Sequence, residues 1–158
     1  MGKAESPFML SAFRSFPGLA EKCRDVRLWI RDLTRGFPDA ADAVEVVVSE
    51  LFGNAITHTA SGRPGGRVEV SLVALASGSL HLEVTDQGKA ATRAVPMQPD
   101  PGRAGGCGLF LVEALAAEWG RLPAEADPCG GVFAETPHNY TGPMITWADF
   151  RTRPHPWS

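Results

Sequence analysis

The stretch Ser49-Glu50-Leu51-Phe52-Gly53-Asn54-Ala55-Ile56-Thr57-His58 carries both an apolar stripe and a second, polar stripe that is hard to explain as ordinary surface. Pro38-Asp39 upstream predicts the start of its helix, with Asp39 as N-cap, Asp42 in the first turn against the positive end of the helix dipole, and a run to about His58. At about 100° per residue, Val44, Val48, Leu51, Phe52 and Ala55 share one sector and face a core, while Asp42, Glu45 and Ser49 point to water. Glu50, Asn54 and His58 fall in a third sector together with Ala43 and Val47. Small and apolar neighbours one or two turns earlier argue that these polar groups are aimed at a pocket.

Working outward, Phe8 to Phe16 reads as a short strand, and Pro17 as the opening of a helix with Leu19, Cys23, Val26, Ile30 and Leu33 on one stripe, stopped at Gly36. After a Gly62 to Gly66 loop, Arg67-Val68-Glu69-Val70-Ser71-Leu72 alternates as a half-buried strand does. A turn at Ser77-Gly78 leads to a second alternating strand with Leu80, Leu82 and Val84 facing inward and His81 outward, to solvent. Asp86 has the inward parity. A carboxylate carried inward is costly without a donor, so Asp86 is a candidate ligand-binding acceptor.

Residues 87–104 form a Gly- and Pro-containing connection longer than packing requires, the usual mark of a lid. Gly105-Gly106-Cys107-Gly108 then opens a helix with Leu109, Val112, Leu115 and Ala116 as its apolar stripe. Beyond Trp119-Gly120, residues 131–135 and 144–150 compete to close the sheet, with a hairpin of both as one solution.

Composition excludes several classes. The chain has 158 residues, 44% hydrophobic and 21% charged, which suits one globular domain over 1–158 rather than disorder or a coiled coil. No apolar run nears the roughly 18 residues of a membrane span, and no secretory leader opens the sequence, so a cytoplasmic location and no membrane contact are expected. Net charge of −3 argues against direct nucleic-acid binding, which rests on phosphate neutralisation. Cys23, Cys107 and Cys129 are odd in number with no C-x-x-C pair, as expected of reduced thiols rather than a disulfide frame or zinc cluster.

Each motif has a plain explanation when taken singly. Glu50 and Asn54, one turn apart, could simply hydrogen-bond at a surface, but the pocket-facing sector favours a carboxylate and an amide oxygen set side by side, a pairing suited to magnesium-phosphate chemistry. Asp86-Gln87-Gly88 could be a turn. The Gly102 to Gly108 stretch offers backbone N–H groups and a positive helix end to an anion, without the Gly-Lys-Ser/Thr of a P-loop or the tight turn of a dinucleotide fingerprint.

In order and spacing, Glu-x-x-x-Asn on a helix, Asp-x-Gly at a strand end and a Gly-rich loop entering a helix together resemble the N, G1 and G2 boxes of the GHKL or Bergerat-fold ATPases, shared by gyrase, a heat-shock chaperone, histidine kinases and MutL. Ser49-Glu50-Leu51, Asn54-Ala55, His58, Trp119-Gly120 and Trp147-Ala148-Asp149 look most like the small actinobacterial ATP-binding proteins related to anti-sigma factor serine/threonine kinases. The resemblance spans about residues 8–150, leaving a short C-terminal tail.

That resemblance implies an α/β two-layer sandwich: a mixed, mainly antiparallel sheet with helices on one face and Mg-ATP bound between the layers. It implies that Asn54 supplies an oxygen to Mg²⁺ on the ATP phosphates and that Asp86 accepts from the adenine amino group, with Gly88 allowing close backbone approach. Gly105, Gly106, Cys107, Gly108 and Leu109 would wrap the phosphates, and Glu50 would act as general base for a partner's Ser or Thr hydroxyl. Implied partners are a sigma factor and an antagonist of the anti-sigma factor, with homodimerisation left open. The sequence departs from the pattern at Ala90 for the last Gly of D-x-G-x-G, at Cys107 where relatives commonly have Arg, and at Gly142-Pro143-Met144. Two readings therefore stand: a protein kinase acting on a partner chain, and an ATP-dependent binding module without transfer activity. A histidine-kinase fragment would need a His-bearing dimerising helix pair, which the sequence lacks.

Overall fold

Alternating apolar residues become the inward face of a five-stranded sheet in the computed structural model, which describes residues 8–89, 107–124 and 139–154. In chain order the elements are β1 (Phe8–Pro17), α1 (Cys23–Leu33), α2 (Ala41–His58), β2 (Arg67–Leu75), β3 (Ser79–Thr85), α3 (Cys107–Leu115), β4 (Glu118–Pro123) and β5 (Met144–Arg151). The strands lie in the order β1-β2-β3-β5-β4. Every pairing among the described residues is antiparallel, so the expected α+β architecture with a mainly antiparallel sheet is met.

Val68, Val70, Leu72 and Ala74 of β2 are fully buried, as are Leu80 and Leu82 of β3, with Val84 nearly so. On the same face β5 contributes Ala148 and Phe150, and β1 contributes Phe16. Facing them, α2 buries Val44, Val48, Leu51, Phe52 and Ala55, the stripe read from periodicity, and also Val47, which periodicity places in the polar sector. Phe16 sits edge-on to both Trp29 of α1 (5.6 Å) and Phe52 of α2 (6.4 Å), which ties both helices to the sheet. Full burial of a Phe of this kind contributes about 1.5–3 kcal/mol.

Several local expectations are corrected. Pro17 ends β1 rather than opening a helix; a 3-10 turn at Ala20–Lys22 intervenes and leaves Leu19 exposed. Asp39 does not cap α2, whose N-cap is Ala40; its carboxylate instead accepts the backbone N–H of Arg153 at 2.9 Å, fastening the stretch after β5 to the turn before α2. Glu45 is not a solvated side chain: the Arg31 guanidinium on α1 donates to it (Nε to Oε2, 3.1 Å), clamping α1 to α2, and this pairing raises the Arg31 pKa.

His81 is likewise not free in solvent. On the sheet face opposite the helices it lies between Asp149, which meets Nδ1, and Glu83, which meets Nε2 at 2.9 Å, and it stacks on Trp147 with centroids 5.9 Å apart. The hydrogen bond that His81 donates to Glu83, partly opposed by burial and reinforced by Asp149, pushes the His81 pKa up to about 9, and the Glu83 carboxyl is held below its usual range.

The competition over sheet closure resolves in an unanticipated way. Residues 118–123 form the edge strand β4, which the sequence reading left unassigned, and β5 inserts between β3 and β4. Trp147 and Gly120 are direct partners across β4 and β5, and a Cβ on Gly120 would lie 2.9 Å from the Trp147 ring. The indole therefore covers a glycine, an arrangement that fills the gap an absent side chain leaves. The alternative strand at 131–135, most of the lid, and Gly105 and Gly106 lie outside the described residues. No helix among the described residues is long and apolar enough to cross a membrane.

Candidate functional site

A cavity of about 210 Å³ opens between α2 and the sheet. Leu51, Asn54, Ala55 and His58 line it from α2, spaced as successive turns on one helical face. Thr59 follows at the helix end, Val84 and Asp86 come from β3 and its continuation, Leu109 from α3, Arg121 from β4 and Thr146 from β5. Val84, Thr146 and Arg121 are successive cross-strand partners, so they form one row across β3, β5 and β4. Asp86 has the parity of Val84 and lies two residues further along, level with Met144.

Asp86 is held in place from several directions. Its backbone N–H donates to Met144 O (3.0 Å), and one carboxylate oxygen, Oδ1, accepts the Gly88 N–H at 2.7 Å in an Asx-type turn. The next residues are pinned to the end of α2: the Gln87 N–H donates to Ser61 Oγ (3.0 Å) and the Ala60 N–H donates to Gly88 O (2.8 Å). Ser61 is set in turn by Thr59, whose hydroxyl donates to Ala55 O (2.6 Å) and accepts the Ser61 N–H (3.1 Å). The second oxygen of Asp86, Oδ2, is left toward the cavity with Arg121 Nη2 at 3.7 Å, outside hydrogen-bond range. Asp86 is 5% exposed. A buried carboxylate with one oxygen committed and the other open is chemically suited to accept a ligand N–H.

Gly88 has φ +81, and a Cβ there would lie 2.3 Å from Thr141 O and 2.4 Å from Gly142 O. Its glycine identity follows from that close approach to the segment leading into β5; the residue is buried but does not line the cavity. Asn54 does line it, and among the described residues its carboxamide has no hydrogen-bond partner. Glu50, one turn earlier, is half-buried at the flank of the lining stripe and is not among the lining residues. Leu109 lines the cavity while remaining partly exposed on α3. Cys107 and Gly108 begin α3.

A family model described as the histidine kinase-like ATPase domain matches residues 16–125, more than half of the chain. The chain belongs to that family. No curated protein matches it. Family membership makes this domain an ATP-binding one of GHKL type. The family match stops before β5, so Thr146 reaches the cavity from beyond it.

The donor set fits ATP with a magnesium ion held mainly by phosphate and water. Asp86 Oδ2 offers an acceptor, and the Asn54 carboxamide offers one neutral oxygen. Among the described residues no group of three or more His, Cys, Asp or Glu could hold a metal alone. A magnesium ion here would therefore be shared between Asn54, phosphate oxygens and water, which is the habit of that ion. Bound so, it would neutralise charge on the phosphates.

Sequence reasoning missed Arg121, Thr59 and Thr146. Thr146 shares its face with Ala148 and Phe150 and could have been found by parity once 144–150 was taken as a strand. Arg121 carried no comparable signal, because Glu118-Trp119-Gly120-Arg121-Leu122-Pro123 shows no alternation of apolar and polar residues.

Proposed function

We propose that this protein is an ATP-binding regulator resembling an anti-sigma factor serine/threonine kinase, which moves the γ-phosphoryl of ATP to a Ser or Thr hydroxyl on a partner antagonist protein and engages a sigma factor. The observation that supports it is the placement of Asn54 and Asp86 at separate points of one cavity, with Glu50 one helical turn before Asn54. Asp86 would orient the base, Asn54 would share Mg²⁺ with the phosphates, and Glu50 would hold the proton released by the attacking hydroxyl. Transfer of this kind needs positioning and charge neutralisation more than covalent chemistry, so a small residue set is sufficient. Gly105, Gly106, Cys107, Gly108 and Leu109 would contact the phosphates.

A second reading is favoured by one observation: Glu50 flanks the cavity without lining it. In that reading the protein binds ATP and exchanges partners under nucleotide control, with no transfer. Incubation with γ-labelled ATP and the cognate antagonist separates the two. Label on the antagonist that disappears in Glu50→Ala, with ATP affinity unchanged, supports the kinase; tight ATP binding with no label transferred by the wild type refutes it.

A further inference from the structure

Arg121 is the one Lys or Arg among the described residues that line the cavity. It projects from the middle of β4, opposite Thr146 on β5, with its Nη2 3.7 Å from Asp86 Oδ2. At that separation the two groups feel each other's charge but no hydrogen bond is spent between them. Among the described residues no hydrogen bond of the guanidinium is present, and its side chain is about half exposed. The cavity thus presents, side by side, a fixed acceptor on a buried carboxylate and an uncommitted donor on a guanidinium.

Such a couple is a reader of ring edges. On the Watson–Crick edge of adenine an amino donor sits next to a ring-nitrogen acceptor, N1; on guanine the same two positions carry a carbonyl acceptor and a ring N–H donor. If the amino group meets Asp86, the neighbouring atom meets Arg121. We infer that Arg121 is a base-reading residue that donates to N1 of adenine beside Asp86 and so sets the preference of this cavity for adenine over guanine nucleotides. The inference rests on the ATP reading of the site. Arg121 contributes nothing to the chemistry of transfer; its action is confined to which base is held.

Calorimetric titration of the full chain with ATP, 1-deaza-ATP and GTP in the presence of Mg²⁺, for wild type and Arg121→Met, tests it. 1-Deaza-ATP keeps the amino group and the phosphates and replaces N1 by C–H. The wild type should bind ATP about tenfold or more tightly than 1-deaza-ATP, as expected for loss of a hydrogen bond to a charged group. Arg121→Met should bind ATP about tenfold more weakly and no longer distinguish the two, because an apolar side chain then faces either atom. Equal wild-type affinity for ATP and 1-deaza-ATP would overturn the inference without recourse to the variant. So would a loss in Arg121→Met that is the same for both nucleotides, the signature of a cation acting on the phosphates, or GTP binding as tight as ATP. In each of these cases ATP still binds and the site reading survives; absence of ATP binding to the wild type removes both.

Discussion

Replacing Asp86 by Asn tests the acceptor on which the proposed nucleotide site depends. The carboxylate has two oxygens with different duties: Oδ1 takes the Gly88 N–H at 2.7 Å, and Oδ2 faces the cavity with Arg121 Nη2 at 3.7 Å. In Asp86→Asn the amide oxygen must stay on the Gly88 side, since the flipped amide would set two donors against each other. The NH₂ group then points into the cavity, where a donor meets the adenine amino group and stands near a guanidinium. A hydrogen bond to a charged acceptor contributes about 1.5–3 kcal/mol, so the dissociation constant for ATP should rise by a factor of roughly 10 to 150. The loss should be equal for ADP, whose base is the same, and small for purine riboside triphosphate, which has no amino group to lose. The turn that holds residue 86 keeps its hydrogen bond, so urea unfolding should shift little. Calorimetry with the three nucleotides decides the matter. An ATP affinity within twofold of wild type, or an equal loss for purine riboside triphosphate, would refute the assignment of Asp86 to the amino group.

Other parts of the structure give independent expectations. The His81 pKa stands at about 9 in the fold against 6.5 in the unfolded chain, so its contribution is fully present below pH 6.5 and is lost as pH rises through 9; allowing for solvent screening of this partly exposed cluster, melting experiments should show a fall of about 1–2 kcal/mol over that window in wild type and not in His81→Gln. Below that range the lowered Glu83 pKa makes its own contribution fade as pH falls through the acid region, giving a stability plateau between the two limits. Asn54→Ala should fold normally and abolish the dependence of ATP affinity on Mg²⁺, read by titrating nucleotide with and without the ion. Gly88→Ala must place a Cβ at φ +81 and 2.3 Å from Thr141 O, so it should cost at least about 2 kcal/mol in urea unfolding, measured without any ligand.

How far the sequence alone could go is clear from individual residues. The α2 stripe and the β2 and β3 alternation were legible because both elements are regular and covered on one side only, so burial and period coincide at Val44, Leu51, Val70, Leu72, Leu80 and Leu82. Asp86 was found by the same logic, as the next inward position after Val84. Asp39 and Pro17 misled because each is locally competent for a helix start, while tertiary partners chose otherwise: Asp39 bonds Arg153, and Pro17 is still paired with Arg67 at the end of β1. His81 looked solvated by parity alone; only the neighbour strand, which brings Asp149 opposite, turns that outer position into a charged cluster.

Strand order, which periodicity does not encode, is what makes the cavity. Had β5 simply closed the sheet after β4, Thr146 would not stand between Val84 and Arg121, and no cation from β4 would lie within 3.7 Å of Asp86. Insertion of β5 between β3 and β4 sets Met144 O to receive the Asp86 N–H and sets the segment before it against Gly88, so one strand both fixes the acceptor and builds the wall beside it. The edge strand β4 is short and ends in Pro123, which suits an edge and hides it from pattern reading. The residue it delivers is therefore invisible until the sheet is assembled. Several polar groups lining the site thus divide by origin: Asn54, His58 and Asp86 sit on elements whose periodicity announces them, Thr146 sits on an alternating strand that only sheet order brings to the cavity, and Arg121 arrives through sheet order on a strand without alternation.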